Sequence, residues 1–97
     1  MPMYVSLINW TDQGIRNFRD TLKRADAFAE LVESKGGKVR EILWTIGPYD
    51  IVAVVEAPDD ETYTSVALAV GSLGNVRTTS LRGFDREEMA RIIEQAG

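Results

Sequence analysis

The sequence predicts an α+β domain in which a four-stranded antiparallel sheet carries helices on one face and is followed by an extra C-terminal helix. Two observations support this fold class. Short segments with a two-residue or continuous apolar pattern, typical of strands, alternate with longer segments of three-to-four-residue spacing, typical of helices. Their order is strand, helix, strand, strand, helix, strand, helix. A chain of 97 residues is sufficient for one domain, which we expect to cover residues 1–97.

The first strand and the first helix occupy the N-terminal third of the chain. Residues 3–9 alternate between two faces and predict a strand. Thr11 and Asp12 are candidate N-caps, because their side-chain oxygens can accept hydrogen bonds from free backbone N–H groups. Gly14 indicates a separate first turn, with the main helix beginning near Arg19. The predicted buried face of the helix consists of Ile15, Phe18, Leu22, Ala25, Phe28, Ala29 and Val32.

Two strands joined by a tight turn come next. Residues 38–46 predict a strand that carries Ile42, Trp44 and Ile46 on one face and Val39 and Leu43 on the other. Gly47 and Pro48 form the turn. The segment 50–57 is apolar on both of its faces, which is typical of a strand that is covered above and below.

The C-terminal half adds a helix, a strand and a closing helix. Asp59 is placed to cap a helix that ends at Gly74 or Asn75. The buried face of this helix is predicted to consist of Tyr63, Val66, Ala67, Val70 and Leu73. Residues 76–82 predict a weaker fourth strand, and Asp85 with Glu88 resembles a capping box for the last helix. Two successive right-handed βαβ units in this order define a ferredoxin-like βαββαβ sandwich.

Composition excludes several classes of function. The net charge of −4 is poorly suited to binding phosphates, so we expect no nucleic-acid partner. The chain has neither cysteine nor histidine, which excludes disulfides, thiolate nucleophiles, and Cys- or His-based metal and haem sites. The acidic run Asp59-Asp60-Glu61 is explained by its position at a helix start, where carboxylates are favourable. We therefore expect no metal and no cofactor.

The N-terminus and the lengths of the apolar runs predict a cytoplasmic protein. The first ten residues lack the charged leader and the small-residue cleavage site of a secretory signal. No run approaches the ~20 apolar residues of a membrane span, so no membrane partner is expected.

The sheet carries more apolar surface than two helices can cover. Whichever face the helices occupy, the third strand and its neighbours present valine, leucine or isoleucine to the other face. Large exposed apolar patches are unusual on monomers. The sequence therefore predicts a homodimer with sheets stacked face to face. In the alternative, the C-terminal helix folds back over the open face.

Three segments resemble the signature blocks of a known family. The segments INWTDQGIRNFRD, LWTIGPYDIVAVVEAPDD and GNVRTTSLRGF are similar to those of the GYD domain family, and the resemblance spans roughly residues 3 to 90. This family contains small bacterial and archaeal proteins of largely unknown function, placed with the dimeric α/β-barrel proteins. The chain departs from the family pattern at Pro48, which separates Gly47 from Tyr49 and is expected to stiffen the turn. A weaker resemblance links the chain to the effector domain of leucine-responsive regulators, without their DNA-binding helices.

Seven residues are candidate ligand-binding residues, namely Tyr4, Trp10, Trp44, Tyr49, Asp50, Arg77 and Thr79. Tyr49 and Asp50 offer a hydroxyl and a carboxylate at a pocket mouth, or else they only stabilise the hairpin turn. The two tryptophans either stack on a ligand in an apolar cavity or only pack in the core and the dimer interface. Arg77 is a solvated strand charge, unless it points into a cavity and binds an anion.

Three kinds of function remain, one of which is a structural subunit of a larger assembly. The resemblance to effector domains and the lack of an evident acid–base set favour a homo-oligomeric module that binds or senses a small molecule. The alternative is a cofactor-independent isomerase or monooxygenase like other dimeric α/β-barrel proteins, with Asp50, Tyr49 and Tyr4 as its candidate catalytic groups. A cavity that contains Asp50 or Tyr49 would favour the enzyme.

Overall fold

A computed structural model describes all residues 1–97 and has the predicted order of elements. They are β1 (Met3–Trp10), α1 (Asp12–Arg16), a 3₁₀ turn (Phe18–Asp20), α2 (Thr21–Ser34), β2 (Lys38–Trp44), β3 (Ile51–Glu56), α3 (Asp60–Ser72), β4 (Val76–Gly83) and α4 (Arg86–Ala96). The four strands form one antiparallel sheet in the order β2-β3-β1-β4. This is the ferredoxin-like α+β fold that the sequence predicts.

The core lies between the sheet and helices α2 and α3. Tyr4, Ser6 and Ile8 of β1 are buried on this face, and the buried residues of β3 alternate in the same way because successive side chains of a strand point to opposite faces. The helices contribute Val32 from α2 and Val66 from α3, each 2% exposed. Removing one of these valine side chains down to alanine would cost roughly 1–3 kcal/mol in lost burial and cavity formation.

The first helical region is broken where Gly14 suggested a break. Thr11 caps α1 by accepting a hydrogen bond from the backbone N–H of Gly14, and α2 begins only at Thr21. Gly14 is buried against the loop between α3 and β4, where a Cβ atom at this position would lie 1.9 Å from the carbonyl oxygen of Asn75. The chain changes direction after α1. The prediction of one continuous buried face is therefore wrong for Ile15, Phe18 and Leu22, which are exposed.

A bulge in β2 also corrects the sequence prediction. The pairing with β3 shifts between Val39 and Glu41, so that one extra residue stands in β2. As a result Val39, Ile42 and Trp44 all lie opposite the core-facing residues of β3, although alternation alone places Val39 on the other face. β2 ends at Trp44, and the side chain of Ile46 is fully exposed beyond it.

The capping predictions for the last two helices are confirmed. The Asp59 side chain accepts a hydrogen bond from the backbone N–H of Thr62 at 2.8 Å, and this contact lowers the pKa of Asp59 below its usual value. Asp85 and Glu88 form a reciprocal capping box, with contacts of 2.8 and 3.2 Å to each other's backbone N–H groups.

The opposite face of the sheet is open and apolar. It carries Val5 and Leu7 from β1, Val52 and Val54 from β3, Leu43 from β2 and Leu81 from β4. Helix α4 does not cover this face, and it packs little against the rest of the chain. Met89 and Ile93 of α4 are 46% and 61% exposed.

The shape of the chain reflects both the open face of the sheet and the loosely packed helix α4. A compact monomer of 10.8 kDa exposes roughly 5,500 Å², whereas this chain exposes 6590 Å². Its radius of gyration is 14.4 Å, against roughly 12.5 Å for a compact domain of this length. The chain therefore exposes about 1,000 Å² more surface than a compact monomer of its size.

Candidate ligand-binding cavity

A cavity of about 360 Å³ lies between the sheet and the helices α2 and α3. Fifteen of its 20 lining residues are hydrophobic, among them Phe28, Ile51 and Val70, which come from three different elements. The size and the apolar lining are those of small-molecule sites, which usually span 300–1,000 Å³ and carry few polar groups. The five polar lining residues are Ser6, Thr21, Arg24, Asn75 and Thr78.

Hydroxyl groups form a short chain at the sheet side of the cavity. The Tyr63 hydroxyl lies 2.6 Å from Ser6 Oγ and 2.7 Å from Ser80 Oγ. Ser6 and Tyr63 line the cavity and are almost fully buried, whereas Ser80 is exposed and lies outside the lining. The chain of hydroxyls therefore leads from the cavity to the surface of the protein.

Trp10 lines the cavity at the end of β1, and the hairpin turn fixes its backbone. The Asp50 carboxylate accepts a hydrogen bond from the Trp10 backbone N–H at 2.9 Å, and the Asp50 N–H donates to the carbonyl oxygen of Ile8 at 2.9 Å. β3 begins only at Ile51, which lies opposite Ile8, so no β3 residue pairs with Trp10. The Asp50 carboxylate instead accepts the hydrogen bond that a backbone carbonyl of β3 would otherwise accept. The aspartate in the turn therefore extends the pairing of β1 beyond the end of β3.

The indole N–H of Trp10 has no hydrogen-bond partner although its nitrogen is fully buried. A buried polar group without a partner costs about 1–3 kcal/mol relative to its hydration in water. Almost all buried polar groups of folded proteins are paired, so an unpaired one next to a cavity requires a physical reason. A ligand acceptor that reaches this group would recover part of that cost.

Arg24 and Thr21 bring the start of α2 to the cavity. The Arg24 guanidinium donates to the carbonyl oxygens of Asn17 at 3.0 Å and of Gly14 at 3.2 Å, and so ties α2 to the end of α1. Thr21 Oγ1 accepts a hydrogen bond from the indole N–H of Trp44 at 3.0 Å. Two of the five N–H groups of Arg24 and the hydroxyl oxygen of Thr21 are thus engaged within the chain.

Helix α1 and the loop before β4 meet at the same end of the cavity. The Thr11 backbone N–H donates to the carbonyl oxygen of Asn75 at 3.0 Å, and the Gln13 side-chain amide donates to Asn75 Oδ1 at 2.9 Å. Gly14 permits this close approach because it has no side chain. Since Asn75 and Trp10 both line the cavity, these contacts help to shape it.

Tyr4 lies beside the cavity and supports it. Its ring stacks on Tyr63 with the ring centroids 4.2 Å apart, and its hydroxyl donates to Asp60 Oδ1 at 2.5 Å. Burial of the ring and the contact with Asp60 raise the pKa of Tyr4 to about 12, although the nearby Arg82 opposes the shift. Tyr4 therefore stays protonated at neutral pH, holds the N-terminus of α3 on the sheet and keeps Tyr63 in place.

The structure distributes the seven candidate residues over three regions. Trp10 lines the cavity, while Tyr4 and Trp44 contact residues that line it. Tyr49 and Asp50 lie in the hairpin turn outside the cavity lining, where the Tyr49 carbonyl oxygen accepts a hydrogen bond from Thr45 Oγ1 at 2.6 Å.

The remaining two candidates, Arg77 and Thr79, are exposed on the open face of the sheet, where their register positions oppose Asn9 and Leu7. The cavity residues Ser6 and Tyr63 are absent from the sequence-based candidates. The helical spacing places Tyr63 on a buried helix face, and only the packing of α3 against β1 brings the Tyr63 hydroxyl to a serine.

No group of carboxylates in the chain is arranged to hold a metal ion. None of the helices combines the length and the hydropathy needed to span a membrane.

The fold and the cavity define a ferredoxin-like α+β domain with an apolar site under its sheet, and comparison with known proteins supplies its family. Residues 4–93 match the GYD domain. The chain belongs to the GYD domain family.

Two matches come from Thermus thermophilus. One is a protein described as a "glutamine synthetase and cystathionine beta-lyase binding protein", which is 34% identical over 85 residues that cover 87% of this chain and 90% of that protein. The other is the crystal structure of TTHA0845, which is 29% identical with a TM-score of 0.56, and the match covers 88% of this chain and 95% of that one.

A third match concerns the fold alone. The crystal structure of MtbAldR superposes with a TM-score of 0.63 over 88% of this chain and 52% of that chain, at 16% sequence identity. The match therefore covers about half of MtbAldR.

Proposed function

We propose that this chain is a homo-oligomeric module of the GYD family that binds a small molecule in the cavity under its sheet. The observation that carries this proposal is the cavity itself, which is about 360 Å³ in volume and mainly apolar. The cavity is partly open to solvent, so a ligand can reach it from the surface. Its volume and its apolar lining are those of small-molecule sites.

The neighbourhood of the cavity supports a binding role over a catalytic one. No carboxylate lines it, and Tyr49 and Asp50 lie outside the lining. A cofactor-independent isomerase or monooxygenase needs a group that moves a proton close to the substrate. Tyr63 is the only lining tyrosine, and its hydroxyl contacts two serines. The enzymatic alternative would therefore depend on Tyr63.

The homo-oligomeric part of the proposal rests on the open face of the sheet. A group of valine and leucine side chains on the four strands is partly or largely exposed there. Stable dimers commonly bury about 800 Å² per partner. The excess of about 1,000 Å² over a compact monomer is of the same order. Stacking of two such faces about 10 Å apart would remove this apolar surface from water.

A fragment screen by thermal shift tests the binding role. The screen uses uncharged fragments with the protein and two variants of α3. Ala67→Phe places a ring in the cavity lining, whereas Thr64→Phe adds the same ring at an exposed position of the same helix. We expect stabilising fragments to lose their effect with Ala67→Phe and to keep it with Thr64→Phe. Fragments that stabilise both variants equally, or a screen without any hit, contradict a ligand site in this cavity.

Light scattering at micromolar concentration tests the oligomer. Val54→Lys places a charge in the middle of the open face, whereas Leu68→Lys places one on α3, where Leu68 is 70% exposed. We expect twice the monomer mass, or a higher multiple, for the original protein and for Leu68→Lys, and the monomer mass for Val54→Lys. A monomeric original protein contradicts the proposal.

A second candidate function is the binding of a metabolic enzyme. The Thermus thermophilus relative is described as binding glutamine synthetase and cystathionine beta-lyase. In this chain, Phe84 and Ile93 are 54% and 61% exposed in the α4 region, which packs little against the rest of the chain. Gel filtration of the protein with each purified enzyme tests this function, and Ile93→Glu should abolish co-elution. Separate elution of the original protein from both enzymes contradicts it.

A further inference from the structure

The hydroxyl chain gives the cavity one polar position on its sheet side. Ser6 Oγ contacts the Tyr63 hydroxyl at 2.6 Å, and the Tyr63 hydroxyl contacts Ser80 Oγ at 2.7 Å. Ser6 is 2% exposed and lines the cavity beside Ile8, whereas Ser80 is exposed to solvent outside the lining. The Ser6 hydroxyl is therefore the end of the chain that a bound molecule can reach.

The three hydroxyl groups of Ser6, Tyr63 and Ser80 have one more proton than their mutual contacts use. Three hydroxyls carry three protons, and the two contacts between them use two. The third proton lies on Ser80, Tyr63 or Ser6, according to which hydroxyl donates in each contact. When Ser80 donates to Tyr63 and Tyr63 donates to Ser6, the free proton lies on Ser6, where no group of the protein accepts it. The buried indole N–H of Trp10 is a further donor without an acceptor. In that arrangement the cavity wall has two donors without an acceptor, and a ligand that supplies an acceptor complements it.

The charges around the cavity decide whether this acceptor is neutral. Arg24 is the only charged residue of the lining, and two of its five N–H groups donate to the carbonyl oxygens of Asn17 and Gly14 at the end of α1. An anion placed against the apolar part of the lining would lose its hydration without gaining an ion pair there, which is very unfavourable. A neutral oxygen carries a much smaller desolvation cost.

We infer that the ligand of this cavity is an uncharged, mainly hydrocarbon molecule with one carbonyl oxygen, which accepts a hydrogen bond from the Ser6 hydroxyl. This inference rests on the proposed small-molecule-binding function and adds to it the chemical class of the ligand. The apolar lining binds the hydrocarbon part, and the donor on the sheet side selects for the carbonyl.

Three probes of similar size test the inference on the intact protein. Ethylbenzene has no acceptor, acetophenone adds a neutral carbonyl, and benzoate carries a charged carboxylate. Dissociation constants come from NMR amide-shift titrations, in which shifts of Ile8 and Ile51 locate the probe in the cavity. We expect acetophenone to bind about 3- to 10-fold more tightly than ethylbenzene, the range that one net hydrogen bond supplies. Benzoate should bind most weakly.

Two serine variants provide a matched comparison, because each removes one hydroxyl contact of Tyr63. Ser6→Ala should abolish the preference for acetophenone over ethylbenzene. Ser80→Ala should keep the preference, since Ser80 does not line the cavity. The preference of the original protein is measured without any substitution, so the test survives a variant that fails to fold.

The outcomes distinguish a failure of the inferred ligand class from a failure of the proposed small-molecule-binding function. Equal binding of ethylbenzene and acetophenone, or tighter binding of benzoate, overturns the assigned ligand class but leaves a small-molecule site. Loss of the preference in Ser80→Ala as well as in Ser6→Ala overturns the role of Ser6. If none of the three probes shifts the cavity resonances, the binding function itself fails.

Discussion

Removal of the Asp50 carboxylate should destabilise the protein through Trp10. In Asp50→Ala the Trp10 backbone N–H, which donates to the Asp50 carboxylate at 2.9 Å, loses its partner at the end of β1. A hydrogen bond to a charged group contributes about 1.5–3 kcal/mol. We take about 2 kcal/mol for this partly buried contact, which corresponds to a decrease in Tm of about 8–16 °C for a domain of this size.

Asp50→Asn separates the charge from the geometry of this contact. The amide keeps a neutral oxygen that can accept the same hydrogen bond, so we expect a loss of about 1 kcal/mol and a decrease in Tm of about 4–8 °C. Asp26→Ala removes an exposed carboxylate of α2 that has neither a hydrogen bond nor an ion pair, and it should not lower Tm, because alanine has the higher helix propensity.

The assay is thermal unfolding followed by circular dichroism at one fixed protein concentration, because the Tm of the proposed oligomer would depend on concentration. Indole fluorescence recorded in parallel reports whether the environment of Trp10 changes. An Asp50→Ala protein that unfolds at the same temperature as the original would refute the reasoning, because the carboxylate would then contribute nothing to the end of β1.

Three further changes test other contacts. Gly14→Ala should lower the free energy of unfolding by about 1–3 kcal/mol through overpacking, because the new Cβ atom would approach the Asn75 carbonyl oxygen to 1.9 Å. Urea unfolding measures this loss, and an unchanged free energy of unfolding contradicts the close approach. Asp59→Ala should lower the urea midpoint at neutral pH because α3 loses its cap, and this difference should shrink on acidification, since the lowered pKa of Asp59 makes its contribution disappear as pH falls. The raised pKa of Tyr4, about 12, favours the folded state below pH 10 and loses this effect as pH rises from 10 to 12. Tyr4→Phe should therefore be less sensitive to this alkaline range in urea unfolding, and equal sensitivity of the two proteins contradicts the assignment.

Local signals in the sequence predicted the order of elements and several of their boundaries. The caps at Thr11, Asp59 and Asp85 depend on residues three positions apart, so they can be recognised without any knowledge of the fold. The continuous apolar run of β3 predicted a strand with two apolar faces. In the structure only one of these faces is covered by helices, and the other is open.

Two local predictions failed because contacts between distant residues overrode periodicity. The bulge in β2 moves Val39 to the same face as Ile42, and it is defined by pairing with β3 and not by any residue of β2 alone. Ile15 and Phe18 continue the helical spacing but are exposed. The orientation of α1 is determined by its contacts with Asn75, a residue distant in sequence, so α1 is not collinear with α2.

The sequence by itself determined which segments are strands and helices, that the apolar surface of the sheet exceeds what its helices cover, and which classes of chemistry the absence of cysteine and histidine removes. Only the tertiary structure decided where a ligand site can form. The hydroxyls of Ser6, Tyr63 and Ser80 meet because β1, α3 and β4 pack together, and the cavity exists because α2 and α3 leave space above the sheet. Spacing along a chain predicts local hydrogen bonds and faces, but a cavity is the space between elements that are distant in sequence, and no local pattern encodes its volume.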